Sequence, residues 1–129
     1  MIRTALVRQL AGFDPRFFLY WEEMDVCKRA EDAGFETWAV GTAVAHHIGG
    51  ASTSRDDTRV GGCIAMHYFQ SRYYYMIKHH GWFAATAAEL IEYGLLGLRS
   101  LVDLARGRGL SRFRPRRMAP LLSLPNAAE

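Results

Sequence analysis

The element that most constrains this chain is a helix from about Glu22 to Ala33, because both of its ends are signalled locally. Glu22, Glu23 and Asp25 place three acids in the first turn, where the positive end of the helix dipole favours them. Lys28 and Arg29 follow, and Gly34 can take the left-handed position after the last turn. An aromatic run, Phe17-Phe18-Leu19-Tyr20-Trp21, leads into this helix, and His46-His47 follow beyond a short extended stretch. Upstream, a short helix near Arg3 to Leu10 is expected to break at Gly12, with Asp14-Pro15 marking the turn between the two.

Adjacent carboxylates at a helix start suit acid/base chemistry, although acids there also serve simply to complement the dipole. Glu23 is spaced three, four and seven residues from Val26, Cys27 and Ala30, whereas Glu22 lies about 100° around the helix. That phase predicts Glu23 facing the interior or a cleft, where partial desolvation would raise its pKa and favour general-base work near neutral pH. Asp25 and Arg29, four apart, read as an intrahelical ion pair. His46 and His47 would point oppositely on an extended segment, so only one of them can face a cleft.

Beyond this unit, Phe35 to Val40 and Ala43 to His47 read as two strands separated by Gly41-Thr42, and Gly49 to Val60 as a mobile loop. A helix rich in Tyr and Met is expected from about Gly62 to His79, ending at Gly81. Tyr73-Tyr74-Tyr75 cannot share one face of it, so at least one should pack inward while another is free to stack on a sugar or a lipid head group. A second helix, from about Phe83 to Ala105, carries Leu90, Ile91, Leu95, Leu98, Leu101, Val102 and Ala105 at spacings of three and four. The Gly, Pro and Arg content beyond Arg106 predicts a poorly ordered tail.

Composition bounds the function classes. A chain of 129 residues, 50% hydrophobic and 22% charged, has enough apolar material to pack a single domain. Cys27 and Cys63 lack metal-finger or disulfide-framework spacing, which favours a reducing cytoplasm and buried thiols. Neither a secretory leader nor a run of about eighteen uncharged apolar residues occurs. The net charge of +3 is uneven, with Arg106, Arg108, Arg112, Arg114, Arg116 and Arg117 crowded together.

Several of these segments together resemble the acceptor-side part of family 2 glycosyltransferases, especially the rhamnosyl- and galactofuranosyltransferase-like members that build cell-surface polysaccharide. The residues that carry the resemblance are Ala11-Gly12-Phe13-Asp14, Phe17-Phe18, Tyr20, Glu22-Glu23, Asp25, Cys27, Arg29, Ala33-Gly34-Phe35, Val40-Gly41, Ala43, His47 and Gly49-Gly50-Ala51-Ser52. The stretch Arg72 to Gly81, with its Tyr, Lys and closing Gly, looks like a further block of that family. The resemblance implies an α/β fold, with residues 1–81 as the C-terminal half of a Rossmann-like GT-A domain; apolar spacing and composition add an amphipathic helix at 82–107 and a basic, disordered tail at 108–129.

It also implies a chemistry. The second acid of the pair, Glu23, would take the proton from the acceptor hydroxyl as it attacks the anomeric carbon of a nucleotide-sugar, with Glu22 beside it. The family most often has Asp at that position. Asp25 and Arg29 would brace the site, and His47 would ligate the Mg²⁺ or Mn²⁺ ion that neutralises the departing diphosphate. Arg55, Arg59, Arg72, Lys78 and His79 follow the metal position as candidate diphosphate-binding cations, with solvated surface charge as the ordinary alternative.

The expected partners are a nucleotide-sugar donor and a polyprenyl-linked or glycan acceptor, at the cytoplasmic side of a cell membrane. A nucleotide-binding βαβ half does not precede residue 5, so the chain reads as truncated or as one half of a split enzyme that needs a separately encoded partner. Two rival classes stand beside this reading. One is a non-catalytic membrane-surface or interaction protein that uses the amphipathic helix and the arginines. The other, ranked last, is a nucleic-acid binder, for which arginines without a recognition fold supply only salt-sensitive nonspecific attraction.

Overall fold

A computed structural model of the chain describes residues 1–46, 58–107 and 122–125, with backbone only for 58–63. Among them three helices are formed: α1 (Thr4–Gln9), α2 (Glu22–Asp32) and α3 (Thr58–Ala105). The expected α/β fold is not what this structure forms, since the described residues are helical or irregular and contain no strand. The two segments read as strands explain why. Residues 35–40 and 43–46 have extended-type sequence, but a strand is defined by a partner, and among the described residues none pairs with them. Trp38, Val40 and Val44 project into solvent instead, and Ala43 N–H closes a turn on the Val40 carbonyl at 3.0 Å.

The helix ends follow local chemistry closely. After α2, Gly34 has φ +83°, its N–H donates to the Glu31 carbonyl, and Phe35 N–H donates to the Ala30 carbonyl, both at 2.9 Å. This is a Schellman closure, which satisfies carbonyls that the last turn would leave bare. α1 ends the same way one residue earlier than Gly12 suggests: Ala11 takes φ +56°, and Gly12 N–H reaches the Val7 carbonyl.

α3 is two arms, 58–80 and 82–105, separated by Gly81 at φ +84°, ψ 161°. Only glycine adopts that combination readily. The break lets the arms fold back on each other, so that Arg72 pairs with Glu89 and Glu92, and the Tyr73 and Thr86 hydroxyls meet at 3.2 Å.

The core is small and aromatic. Phe17, Tyr74 and Tyr75 are buried together, with Trp21 and Met76 packed against them. All three consecutive tyrosines are buried, contrary to the expectation that one stays free. They span about 200° of the first arm, and that arm has neighbours on each side. Tyr73 faces the second arm, Tyr74 meets Phe17 at 5.0 Å between ring centres, and Tyr75 meets Trp21 at 5.2 Å. The tail is tied down at one described point, where Gln70 donates to the Ser123 hydroxyl at 2.9 Å.

Candidate functional site

The centre of the molecule is a carboxylate, Asp25, with no exposed surface. On its own helix Arg29 Nε donates to Oδ2 at 2.8 Å, which realises the expected four-residue pair. From the first arm of α3, Lys78 Nζ lies 2.7 Å and His79 Nε2 2.8 Å from Oδ1. Lys78 also donates to Asp14 Oδ2 at 2.9 Å, so one ammonium bridges two aspartates. Asp14 accepts in addition from the Tyr74 hydroxyl at 2.9 Å and from the Arg16 guanidinium at 3.1 Å. Arg29 also donates through Nη1 to the Leu10 carbonyl at 2.6 Å and through Nη2 to the Gly12 carbonyl at 2.8 Å. The loose carbonyls at the end of α1 are thereby capped by a side chain from α2.

Burial by itself would raise both carboxyls, yet the donors outweigh it. Hydrogen bonds from Lys78 and His79, with the charges of Lys78 and Arg29, hold Asp25 below the ordinary carboxylate value. Arg16, Lys78 and Tyr74 hold Asp14 well below it. Tyr74, desolvated and donating to the ionised Asp14, is pushed up to about 12.

This network fixes where the acid pair sits. α2 buries Asp25, Val26 and Ala30, and Glu22, three residues before Asp25 and four before Val26, lies on that face. Its Oε2 is buried without a hydrogen-bond partner among the described residues. Glu23 is exposed, on the flank of the buried stripe. The inward orientation expected of Glu23 is therefore not observed, and Glu22 occupies that position. Cys27, counted among the inward neighbours of Glu23, is a half-buried free thiol.

The backbone that delivers the pair is strained. Tyr20 and Trp21 both have positive φ, +66° and +72°, and Trp21 precedes α2 without any side-chain cap. For bulky residues such conformations cost about 1–3 kcal/mol each and survive where packing over-determines them. Here Trp21 is set against Tyr68 and Tyr75, Tyr20 against Tyr68, and Ser71 Oγ donates to the Leu19 carbonyl at 3.2 Å. The Trp21 indole N–H is buried without a hydrogen-bond partner among the described residues. No glycine marks this turn, so nothing in the local sequence signals it.

The other candidate residues divide into two groups. Arg72, Lys78 and His79, considered as diphosphate ligands, are each engaged with a carboxylate of the chain itself. Burial opposes the charge on Arg72, and Glu92 and Glu89 more than restore it, holding its pKa above the ordinary value. His47 and Arg55 lie outside the described residues, as does the side chain of Arg59. Among the described residues no group of three or more His, Cys, Asp or Glu side chains could hold a metal ion.

Among the described residues no helix is long and apolar enough to cross a membrane. No protein-family model and no solved structure matches the chain. The chain is similar to the N-acetylglucosaminyl-diphospho-decaprenol L-rhamnosyltransferase of Mycobacterium tuberculosis, in strains CDC 1551 and H37Rv alike, being 31% identical over 100 residues. The similarity covers 78% of this chain and 31% of the relative's length. The chain is thus a distant, partial homologue of a mycobacterial rhamnosyltransferase, spanning about a third of its length.

Proposed function

We propose that this chain supplies acceptor-side residues for glycosyl transfer from a nucleotide-sugar to a lipid-linked or glycan acceptor in cell-envelope polysaccharide synthesis. The observation that carries the reading is the 100-residue similarity to a rhamnosyltransferase. In the proposed reaction Glu23 takes the proton of an acceptor hydroxyl, and the oxygen bonds to the anomeric carbon. The bond from that carbon to the diphosphate breaks, and the nucleoside diphosphate leaves with the electron pair.

The exposed Glu23 carboxylate is open to an approaching hydroxyl, while its helix is held by the buried Asp25 two residues on. Glu22, whose Oε2 is buried without a hydrogen-bond partner among the described residues, is the proposed companion of Glu23 in the acid pair. Strained backbone just before the pair supports the same location, since such strain gathers at working sites. His47 is the proposed ligand of a divalent cation, which when bound would offset the charge of the departing diphosphate.

The test is transfer of L-rhamnose from a nucleotide-activated donor to N-acetylglucosaminyl-diphospho-decaprenol, by the chain alone and with a separately supplied nucleotide-binding half. Glu23→Gln should lower turnover by at least about 100-fold, in keeping with the usual worth of a general base, with unchanged thermal stability. Unchanged turnover would remove Glu23 from the mechanism, and absence of transfer in both arrangements would overturn the reading as a whole.

A further inference from the structure

The second arm of α3 turns its faces in an unusual sense. Towards the rest of the molecule it presents Ala85, Glu89, Glu92, Ser100 and Asp103, all buried or half-buried, with Arg72 paired to the two glutamates. Its apolar side points outward. Phe83, Leu90, Ile91, Leu95, Leu98 and Leu101 are each more than half exposed. At 100° per residue those six fall within an arc of roughly 140°. The remaining positions on that arc are Ala84, Ala87, Gly94, Val102 and Ala105, so it contains no charge along its length. Among the described residues nothing covers this apolar face, so its hydrophobic partner lies beyond them.

Charge selects among the partners. Arg99 and Arg106 lie along one edge of the arc, and the sequence continues with Arg108, Arg112, Arg114, Arg116 and Arg117. The acids of the arm lie off the arc, Glu92 and Asp103 just beyond the arginine edge and Glu89 farther round, and two of them are already paired to Arg72. A second copy would bring further arginines to this edge, where of the neighbouring acids Glu92 is already paired to Arg72. Lipid phosphates would bring the complementary charge. Exposed Trp82 and Phe83 at the other end of the arm are of the kind that sits at head-group level.

We infer that the 82–105 arm is an in-plane docking surface for an anionic lipid bilayer. The Leu90–Leu101 face enters the boundary between head groups and acyl chains, and Arg99 and Arg106 meet the phosphates. The inference does not depend on the glycosyl-transfer reading.

Co-sedimentation of the full chain with phosphatidylcholine–phosphatidylglycerol vesicles tests it, beside vesicles of phosphatidylcholine alone and sedimentation equilibrium without lipid. Binding to the mixed vesicles should exceed binding to the neutral ones and weaken as salt is raised. Leu95→Glu with Leu98→Glu should lower it by at least about tenfold, because two apolar contacts become charged at the lipid boundary, while far-UV circular dichroism is unchanged. Arg99→Glu with Arg106→Glu should remove the preference for anionic vesicles. Failure to bind mixed vesicles overturns the inference, as does wild-type binding by the leucine double variant. A lipid-independent dimer that the same variant dissociates would assign the face to a second copy and overturn it equally. Vesicle binding by a chain that transfers no sugar leaves this inference standing and the enzymatic reading not.

Discussion

The Lys78 ammonium lies 2.7 Å from Oδ1 of Asp25, a carboxylate with no solvent contact. The pair joins the first arm of α3 to α2, and through Asp14 the same ammonium gathers the turn after α1. Removing the acid leaves Lys78 and Arg29, each about one-fifth exposed, with positive charge and no counter-charge at Asp25. Asp25→Asn should therefore destabilise by about 2–4 kcal/mol, somewhat below the figure for a fully buried pair because both cations keep some solvent. Urea unfolding followed by circular dichroism measures it. Glu23→Gln, on the exposed side of the same helix, should change stability by less than about 0.5 kcal/mol.

The two lowered aspartates set the acid limb of stability. A carboxyl whose folded pKa lies below its unfolded value contributes fully above the unfolded value and loses that contribution as pH falls towards the folded one. For Asp14 and Asp25 the ordinary value is 3.8, so the melting temperature should hold near neutrality and fall steeply as pH drops below it. A thermal-melt series from pH 6 down to about pH 2 should show this slope flattened in Asp14→Asn, because the missing carboxyl no longer titrates. An equally steep fall in that variant would move the linkage to other groups.

Tyr74 gives the alkaline counterpart. Its hydroxyl donates to the ionised Asp14, and its pKa is pushed up from 10.0 to about 12. The folded state therefore keeps a proton that the unfolded chain releases first. Its contribution is complete below pH 10 and is lost as pH rises towards 12. Burial raises Tyr75 as well, so phenolate absorbance should show late-titrating tyrosine in the wild type, and Tyr74→Phe should remove the component near pH 12 while leaving that of Tyr75.

The elements that the sequence makes legible are those with local causes. The acids of the first turn and Gly34 define α2, and Gly81 divides the long helical region, because caps and glycine conformations act within a few residues. The strands are not legible, because residues 35–46 carry extended-type side chains but strand formation depends on a partner elsewhere. Asp25 escapes a reading based on apolar spacing, since its burial depends on Lys78 and His79 more than fifty positions away. For the same reason Glu23 is assigned the wrong side: its spacing to Val26 and Ala30 fits, but Asp25, not Cys27, shares the buried stripe with them. Many of the residues that carry the family resemblance, Gly12, Asp14, Asp25, Arg29 and Lys78 among them, meet in one hydrogen-bonded network. The pattern therefore records a folding unit as well as any chemistry.

The hold between the two arms of α3 can be tested at Glu89, which is 3% exposed and paired with Arg72. Arg72→Leu leaves that carboxylate buried without its guanidinium and should cost about 2–4 kcal/mol. The double variant Arg72→Leu, Glu89→Leu removes both charges and should recover more than half of the loss, as Glu92 can turn to solvent. Equal destabilisation of single and double variants would show that packing of the Arg72 stem, rather than the ion pair, joins the arms.

Gly81 is the sharpest backbone test. A Cβ added there meets nothing within 4 Å, so a substitution is opposed by conformation alone. At φ +84° and ψ 161° an alanine is strained by about 1–3 kcal/mol. That strain can be relieved by letting the helix run through position 81, but a continuous helix would carry Glu89 away from Arg72 and Thr86 away from Tyr73. Gly81→Ala should therefore lower the unfolding free energy by about 1–3 kcal/mol without loss of helical circular dichroism. Spin labels at positions 68 and 95 should report wider separation as the arms open. An unchanged distance distribution at unchanged stability would show that the break is held by the packing of the arms and does not require glycine.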